Sequence, residues 1–369
     1  MTSFTVDRRA FLGVLSLVER ASDRKATMPL LGSVRIVVHA DGTLELSATD
    51  LFVGLRGTVK ASGKVTAGSL AVPARDLLER IKAMPDGNLV VSSGDNGQLT
   101  IKSEGKARKF VVRSQPGEDF PSLATQPTDG PSTKVPSKTL AALIDGVIEA
   151  VSTDDTRPHL ASVLVEWDGN TLRMVTTDGH RLHKSEAETS SVNTLRMLIP
   201  RKGVQELRKV CDSSDEVEVS QAGNTAFFTA GFTLDVKLTD AQFPPYDQVI
   251  PRVKEEMGTI SMKPFADAVR AVSVSSAKTT GCVILEFVKG QSTVKVSAQS
   301  PDSGDASDEF ELESEWTGKS VRTGFNFLYL LQAATAFGEQ NPKVYCSAEL
   351  EPMKLETNGL TIVCMPMRV

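Results

Sequence analysis

The 369-residue sequence predicts an α+β protein in which one unit of roughly 120 residues is written three times, each copy setting two helices against antiparallel sheets. Two observations carry this. The order helix, strands, helix, strands restarts twice, and its markers return at nearly constant offsets. Thr177-Asp178 follows Thr49-Asp50 by 128 residues, Pro200 follows Pro73 by 127, Phe243 follows Phe120 by 123, and Met365 follows Phe243 by 122. The domains expected are therefore 1–123, 124–251 and 252–369, each long enough to hold its own core.

In the first copy, Asp7 is a good N-cap, and Phe11, Leu12, Leu15 and Val18 form one stripe, so residues 8–20 read as an amphipathic helix. A meander follows: 34–38, the turn Asp41-Gly42, 44–48, and an extended run from Leu51 to Val59. Pro73 opens a second helix striped by Leu77, Leu78, Ile81 and Met84, and extended runs near 88–92, 98–102 and 108–113 lead to Phe120-Pro121.

After a Pro/Gly/Ser/Thr-rich linker at 121–136, the second copy starts at Ser137, with Leu140, Leu143, Ile144, Val147 and Val151 as its stripe. Strands 162–167 and 171–177 flank Asp168-Gly169, Pro200-Arg201-Lys202 opens the next helix, and Phe243-Pro244 closes the unit. The third copy starts at Pro264, runs through strands 282–287 and 293–298 and a helix 327–337, and reaches Met365-Pro366.

Composition narrows the function. With 40% hydrophobic and 24% charged residues and a net charge of −5, the chain is neither disordered nor a simple basic nucleic-acid binder, so any nucleic-acid contact must come from local charge placement. The four cysteines (Cys211, Cys282, Cys346, Cys364) form no metal-ligand spacing and read as core residues in a reducing cytoplasm. No signal peptide, membrane span, P-loop, GxSxG or HExxH pattern occurs, so no enzyme, metal or cofactor is expected.

Two features suggest chemistry. Arg75 and Lys82 lie opposite the apolar stripe of their helix, and Lys202 and Lys209 repeat them 127 residues later; such faces suit phosphate contacts that do not read bases. The third copy has Phe327 and Ala334 there. Thr176-Thr177-Asp178-Gly179-His180-Arg181-Leu182 puts polar side chains on a turn at a strand end. It reads as a plain Asp-Gly turn, as an acid/base pair of Asp178 and His180 in a hydrolase or lyase, or as a docking rim. His39, His159 and His183 have no evident partner and read as surface or packing residues.

Together, Thr177-Asp178-Gly179-His180-Arg181-Leu182, Pro200-Arg201-Lys202-Gly203, Phe243-Pro244, Gly324-Phe325-Asn326 and Met365-Pro366-Met367-Arg368-Val369 closely resemble the bacterial DNA sliding clamps, the beta subunits of DNA polymerase III. The resemblance covers essentially the whole chain. It implies clamp-type domains, with two chains closed head-to-tail into a homodimeric ring whose helices line a hole for duplex DNA, and no chemistry performed. It also implies DNA polymerases, a clamp loader and other motif-bearing proteins as partners. The rival without DNA is a protein-binding repeat scaffold.

By that resemblance Arg24, Lys25 and Arg201 join Arg75, Lys82, Lys202 and Lys209 as DNA contacts. The implied peptide groove comprises Leu160, Thr177, Gly179, His180, Arg181, Leu182, Pro244, Val249, Asn326, Tyr329, Val363, Met365, Pro366, Met367 and Arg368. The family usually has an acidic residue after Phe-Pro, a basic pair after the Tyr, and an aromatic pair before Leu160. Here Pro245, Asp247-Gln248 and Pro158-His159 stand in those places, so the rim differs in charge and shape.

Ring closure needs a free edge of the first domain to meet a free edge of the third. A basic run of Lys102, Lys106, Arg108, Lys109 and Arg113, interleaved with Phe110 and Val112, faces an acidic run of Asp302, Asp305, Asp308, Glu309 and Glu311 in this expectation, with Phe110 and Val112 packing near the partner's Val274. The bland alternative is a pair of charged strand edges protected against aggregation.

Overall fold

The structure is a computed structural model that describes residues 1–368 apart from 95, 128–130, 190–193, 253–255, 278, 302 and 303. It contains six α-helices among those residues: α1 Arg8–Val18, α2 Ala74–Ala83, α3 Ser137–Val147, α4 Arg201–Val210, α5 Met262–Ser273 and α6 Phe327–Phe337. Asp7 caps α1 by accepting from the Ala10 amide at 2.9 Å, as its sequence position requires. The third copy's first helix begins two residues earlier than its proline suggests. Ser261 stands at the N-cap, and Pro264 falls in the first turn, where the missing N–H costs nothing.

The chain divides into two compact units, Met1–Ser137 with Lys209–Leu238, and Lys138–Arg208 with Thr239–Val369. Strand pairing explains why the middle repeat is divided. In the first unit, strand Val53–Lys60 pairs antiparallel with Thr233–Lys237, which makes one nine-stranded sheet from Ser132–Pro136 at one edge to Gln115–Pro116 at the other. In the second, Arg181–Glu188 pairs with Leu360–Cys364 inside an eight-stranded sheet. The linker reading of 121–136 is corrected at its end, because 132–136 is a strand paired with Glu216–Ala222. Its alternating Thr133 and Val135 are buried, which a composition-based reading overlooks.

Each unit also has a four-stranded sheet. In the first unit it runs Ser3–Asp7, Asn88–Ser93, Gln98–Ser103 and Lys109–Arg113, and in the second Gly304–Glu311, Thr293–Ser300, Cys282–Phe287 and Val321–Asn326. The strands Lys109–Arg113 and Gly304–Glu311 are edges. The core of the second unit gathers Phe265, Val269, Phe287, Trp316, Phe325 and Leu330 from α5, α6 and this sheet. Where α3 crosses the larger sheet, Gly146 is needed for closeness: a Cβ there would stand 3.2 Å from both Leu360 Cδ1 and Ser185 Oγ.

The extended run assigned to 51–59 starts only at Val53. Leu51 and Phe52 form a turn, and Leu51 has φ +77°.

Candidate peptide-binding site

The turn after strand Thr171–Thr177 is fixed by its own side chains. Thr177 Oγ1 donates to the Arg181 carbonyl at 2.7 Å and accepts from the Gly179 amide at 3.2 Å. Asp178 Oδ1 accepts from the amides of His180 (2.9 Å) and Arg181 (3.1 Å), while Oδ2 takes the Arg181 Nε–H at 3.1 Å. Gly179 at φ +93° supplies the left-handed step. With both carboxylate oxygens so engaged and His180 stacked on Tyr329 at 6.5 Å, the acid/base reading loses its pair.

Arg181 anchors the turn rather than projecting from it. Its guanidinium is buried, stands 4.4 Å over the Tyr329 ring, and donates to Gln332 Oε1 (2.5 Å) and to the Glu149 carbonyl. Gln332 Nε2 donates in turn to Glu149 Oε2 at 2.6 Å, so the turn, α6 and the short helix after α3 are tied together. A buried guanidinium is tolerated because a charge, an aromatic face and two oxygens replace its water.

Beside the turn lies a cavity of about 310 Å³ lined mostly by apolar side chains. Leu182 and Val363, opposite each other across paired strands, form its floor and belong to a small cluster with Leu164, Val175, Leu198, Phe243 and Tyr246. Of the residues expected in the groove, Leu160, Thr177, Gly179, Arg181, Leu182, Pro244, Val249, Val363 and Met365 line this cavity. His180, Asn326, Tyr329, Pro366, Met367 and Arg368 do not. His180 and Tyr329 stack beyond the turn, Asn326 caps α6 by accepting from the Leu328 amide at 2.9 Å, and Arg368 is exposed. The Met365 amide donates to the His180 carbonyl (2.9 Å) and the Met367 amide to Gly324 (2.8 Å), which lays the tail along the site.

Two lining residues were missed, His159 and Tyr246. His159 sits at the departure before Leu160, so its position carried a signal its residue type did not. Tyr246 donates its hydroxyl to Glu166 Oε2 at 2.7 Å, and burial together with that carboxylate pushes its pKa up. His183, read as a surface or packing residue, is fully buried: Nδ1–H donates to the Gly146 carbonyl at 2.9 Å, Nε2 has no hydrogen-bond partner among the described residues, and burial lowers its pKa to about 4.

The cationic candidates are largely exposed but partly neutralised. Arg75 pairs with Glu79 at 2.6 Å and Arg24 with Glu19 at 2.5 Å. Lys25, Lys82, Lys202 and Lys209 are exposed, and Arg201 is half-buried. At the edge strands, Lys106, Lys109, Asp305, Asp308 and Glu309 are exposed, and Val274 is 81% exposed at the end of α5. Arg108 is exposed yet donates to the last carbonyl of α2, that of Ala83, at 2.5 Å. Phe110 is half-buried, whereas Val112 is only 4% exposed and packs in its own sheet opposite Leu99; Asp302 lies outside the described residues. No cluster of His, Cys, Asp or Glu able to hold a metal occurs among the described residues, and no helix there is long and apolar enough to cross a membrane. Cys346 and Cys364 are buried, which pushes their thiols up to about 12.

Family comparisons agree with this geometry along the whole chain. The N-terminal, central and C-terminal domain models of the DNA polymerase III beta subunit match residues 2–124, 134–245 and 247–368. The beta sliding clamp of Pseudomonas aeruginosa is 31% identical over 99% of this chain and 100% of its own, and that of Escherichia coli K12 29% over the same shares. The crystal structure of the sliding clamp (DNA polymerase III subunit beta) from Pseudomonas aeruginosa bound to griselimycin superposes with a TM-score of 0.92, at 29% identity and full coverage of both chains. A chain whose three repeats are each matched in order, and whose fold is that of a solved clamp, belongs to the DNA polymerase III beta subunit family, the bacterial beta sliding clamps.

Proposed function

We propose that the chain is the processivity factor of a DNA polymerase: two copies, each with domains 1–123, 124–251 and 252–369, close head-to-tail into a ring around duplex DNA in the cytoplasm. It performs no catalysis; it tethers polymerases, its loader and other partners through the groove at Thr177–Leu182. The observation that carries this reading is the run of three family matches over nearly every residue, joined to an apolar groove at the Asp178 turn. Leu182, Val363 and Met365 give that groove an apolar floor and a pliable wall, the surface that suits short peptides with apolar anchors.

Sequence-independent sliding fits exposed Lys and Arg on helices, since phosphate neutralisation reads no bases and falls off steeply with salt. Ring closure is supported by two charged edge strands of opposite sign, with half-buried Phe110 and exposed Val274 as apolar contacts. Val112, already buried at home, adds little to it.

The groove is tested by calorimetry with griselimycin, the ligand of the Pseudomonas aeruginosa relative. Saturable binding is expected for the full chain, and a clear loss for Met365→Asp. Equal affinity in the two proteins would place the site elsewhere. Sedimentation of Phe110→Asp/Val274→Asp tests closure: a folded monomer is expected, and a persistent dimer would remove those residues from the interface.

A further inference from the structure

The turn of the first repeat reproduces the bonds that the Thr and Asp of the groove's turn make to the backbone. Thr49 Oγ1 donates to the Val53 carbonyl at 3.0 Å and accepts from the Leu51 amide at 2.9 Å, as Thr177 does with Arg181 and Gly179. Asp50 Oδ1 accepts from the amides of Phe52 (2.9 Å) and Val53 (2.7 Å), as Asp178 does from His180 and Arg181. Leu51 at φ +77° stands where Gly179 has φ +93°. The neighbouring strand follows suit: Gly54 pairs with Asp235 as Leu182 pairs with Val363, and the Lys237 amide donates to Phe52 as the Met365 amide does to His180.

A second cavity, of about 330 Å³, opens at this turn, lined by Leu51, Phe52, Leu123, Asp235 and Lys237 among others. Its chemistry has diverged. Asp235 replaces Val363, so a carboxylate stands where the first groove has an apolar floor. Asp235 is only 8% exposed, and its carboxylate accepts a hydrogen bond from its own backbone amide but none from any described side chain. Room for it depends on Gly54, where a Cβ would lie 2.5 Å from Asp235 Oδ1 and 2.6 Å from Leu123 Cδ2. Arg56 contributes a favourable field but gives its guanidinium to the Ala124 carbonyl (3.1 Å) and lies 3.9 Å from Glu45. Leu51 and Phe52, 52% and 60% exposed, form an apolar rim, with the Lys237 ammonium 5.9 Å from the Phe52 ring.

We propose that this cavity is a second peptide groove, one that takes a linear peptide by inserting a basic side chain toward Asp235 while an apolar neighbour lies on Phe52. A sunken carboxylate whose hydrogen bond comes from its own backbone amide, and not from a cationic side chain, is costly to keep, and a guanidinium or ammonium completes it. Exposed Leu and Phe on a rigid turn offer the apolar contact that such a peptide needs alongside its charge. Lys237 at the opposite rim sets the direction, repelling a basic residue from the mouth and leaving the floor as its place. The inference concerns a site separate from the groove at Thr177–Leu182 and stands whether or not that groove binds polymerases.

Acetyl-Leu-Arg-Leu-Phe-amide, carrying fluorescein for anisotropy or benzoylphenylalanine at its last position for cross-linking, tests this on the full chain. The cross-link is expected within residues 49–54 or 233–238. Asp235→Asn and Phe52→Ala are each expected to weaken binding by about ten-fold or more, as is replacement of the peptide's arginine by norleucine. Both variants should keep the native circular dichroism: Phe52 is exposed, and Asp235→Asn removes a carboxyl whose burial has raised its pKa to about 6. Labelling confined to 159–182 or 363–368, affinity unchanged in Asp235→Asn, or no binding at roughly millimolar peptide would overturn the proposal.

Discussion

The turns at 49–54 and 177–182 share their backbone bonds and differ at nearly every side chain that could meet a partner. Thr and Asp hold the same amides in both. Beyond them, Leu51, Phe52, Val53, Gly54 and Leu55 stand against Gly179, His180, Arg181, Leu182 and His183. Two polar residues therefore suffice to set the path of the chain, which leaves the rest of each turn free to take on a different surface chemistry. The consequence is two cavities built on one frame, one with Leu182 and Val363 on its floor and one with Asp235.

The sharpest way to break this equivalence is to remove the aspartates. Asp178→Ala frees two amides and leaves the buried Arg181 without its carboxylate, so a loss of about 3 kcal/mol is expected in urea unfolding. Asp50→Ala removes acceptors from two amides next to an uncharged Val53, for a loss of about 1 kcal/mol. Equal losses would mean that Arg181 adds nothing to the second turn.

Acid should separate the two strands that follow. His183 is held neutral, its pKa lowered from 6.5 to about 4, while Leu55 at the matching place cannot titrate. Between those values the unfolded chain binds more protons than the folded one, so the stability present above pH 6.5 is lost as pH falls toward 4. The loss amounts to about 3 kcal/mol from this residue. His183→Leu should flatten that part of the pH profile in thermal unfolding; an unchanged profile would assign the acid sensitivity to other groups.

The smallest effects lie at the left-handed position. Gly179→Ala introduces a Cβ at φ +93° and should cost about 1 kcal/mol, whereas Leu51→Gly relieves strain at φ +77° and should gain about 0.5 kcal/mol after the added chain entropy. A loss in Leu51→Gly would show that the Leu51 side chain contributes more by packing than its backbone costs.

Much of this was legible in the sequence, because caps and stripes are local. Asp7 and the Phe11–Leu15–Val18 stripe suffice for α1, and the Thr-Asp spacing of 128 already aligned the two turns. Leu51 was not legible: a leucine followed by phenylalanine reads as strand, and only the pairing of Thr49 with Asp50 signalled a left-handed step. The three consecutive apolar residues Phe110, Val111 and Val112 show the same limit. Alternation put Phe110 and Val112 on one face, but did not show that Val112 is closed off in the domain's own core, opposite Leu99, while Phe110 stays half-buried. Tyr246 escaped because burial by distant segments decides its role.

The proposed function is a topological one, in which the protein holds DNA by surrounding it. Retention on nicked circular duplex DNA, measured by gel filtration after loading and repeated after the circle is cut once, tests it most directly. Protein is expected to co-elute with the circle and to be released from the linear form over free ends, with Arg75, Lys82, Lys202 and Lys209 to Ala lowering retention. Equal retention on circular and linear DNA, or none on either after loading, would contradict it.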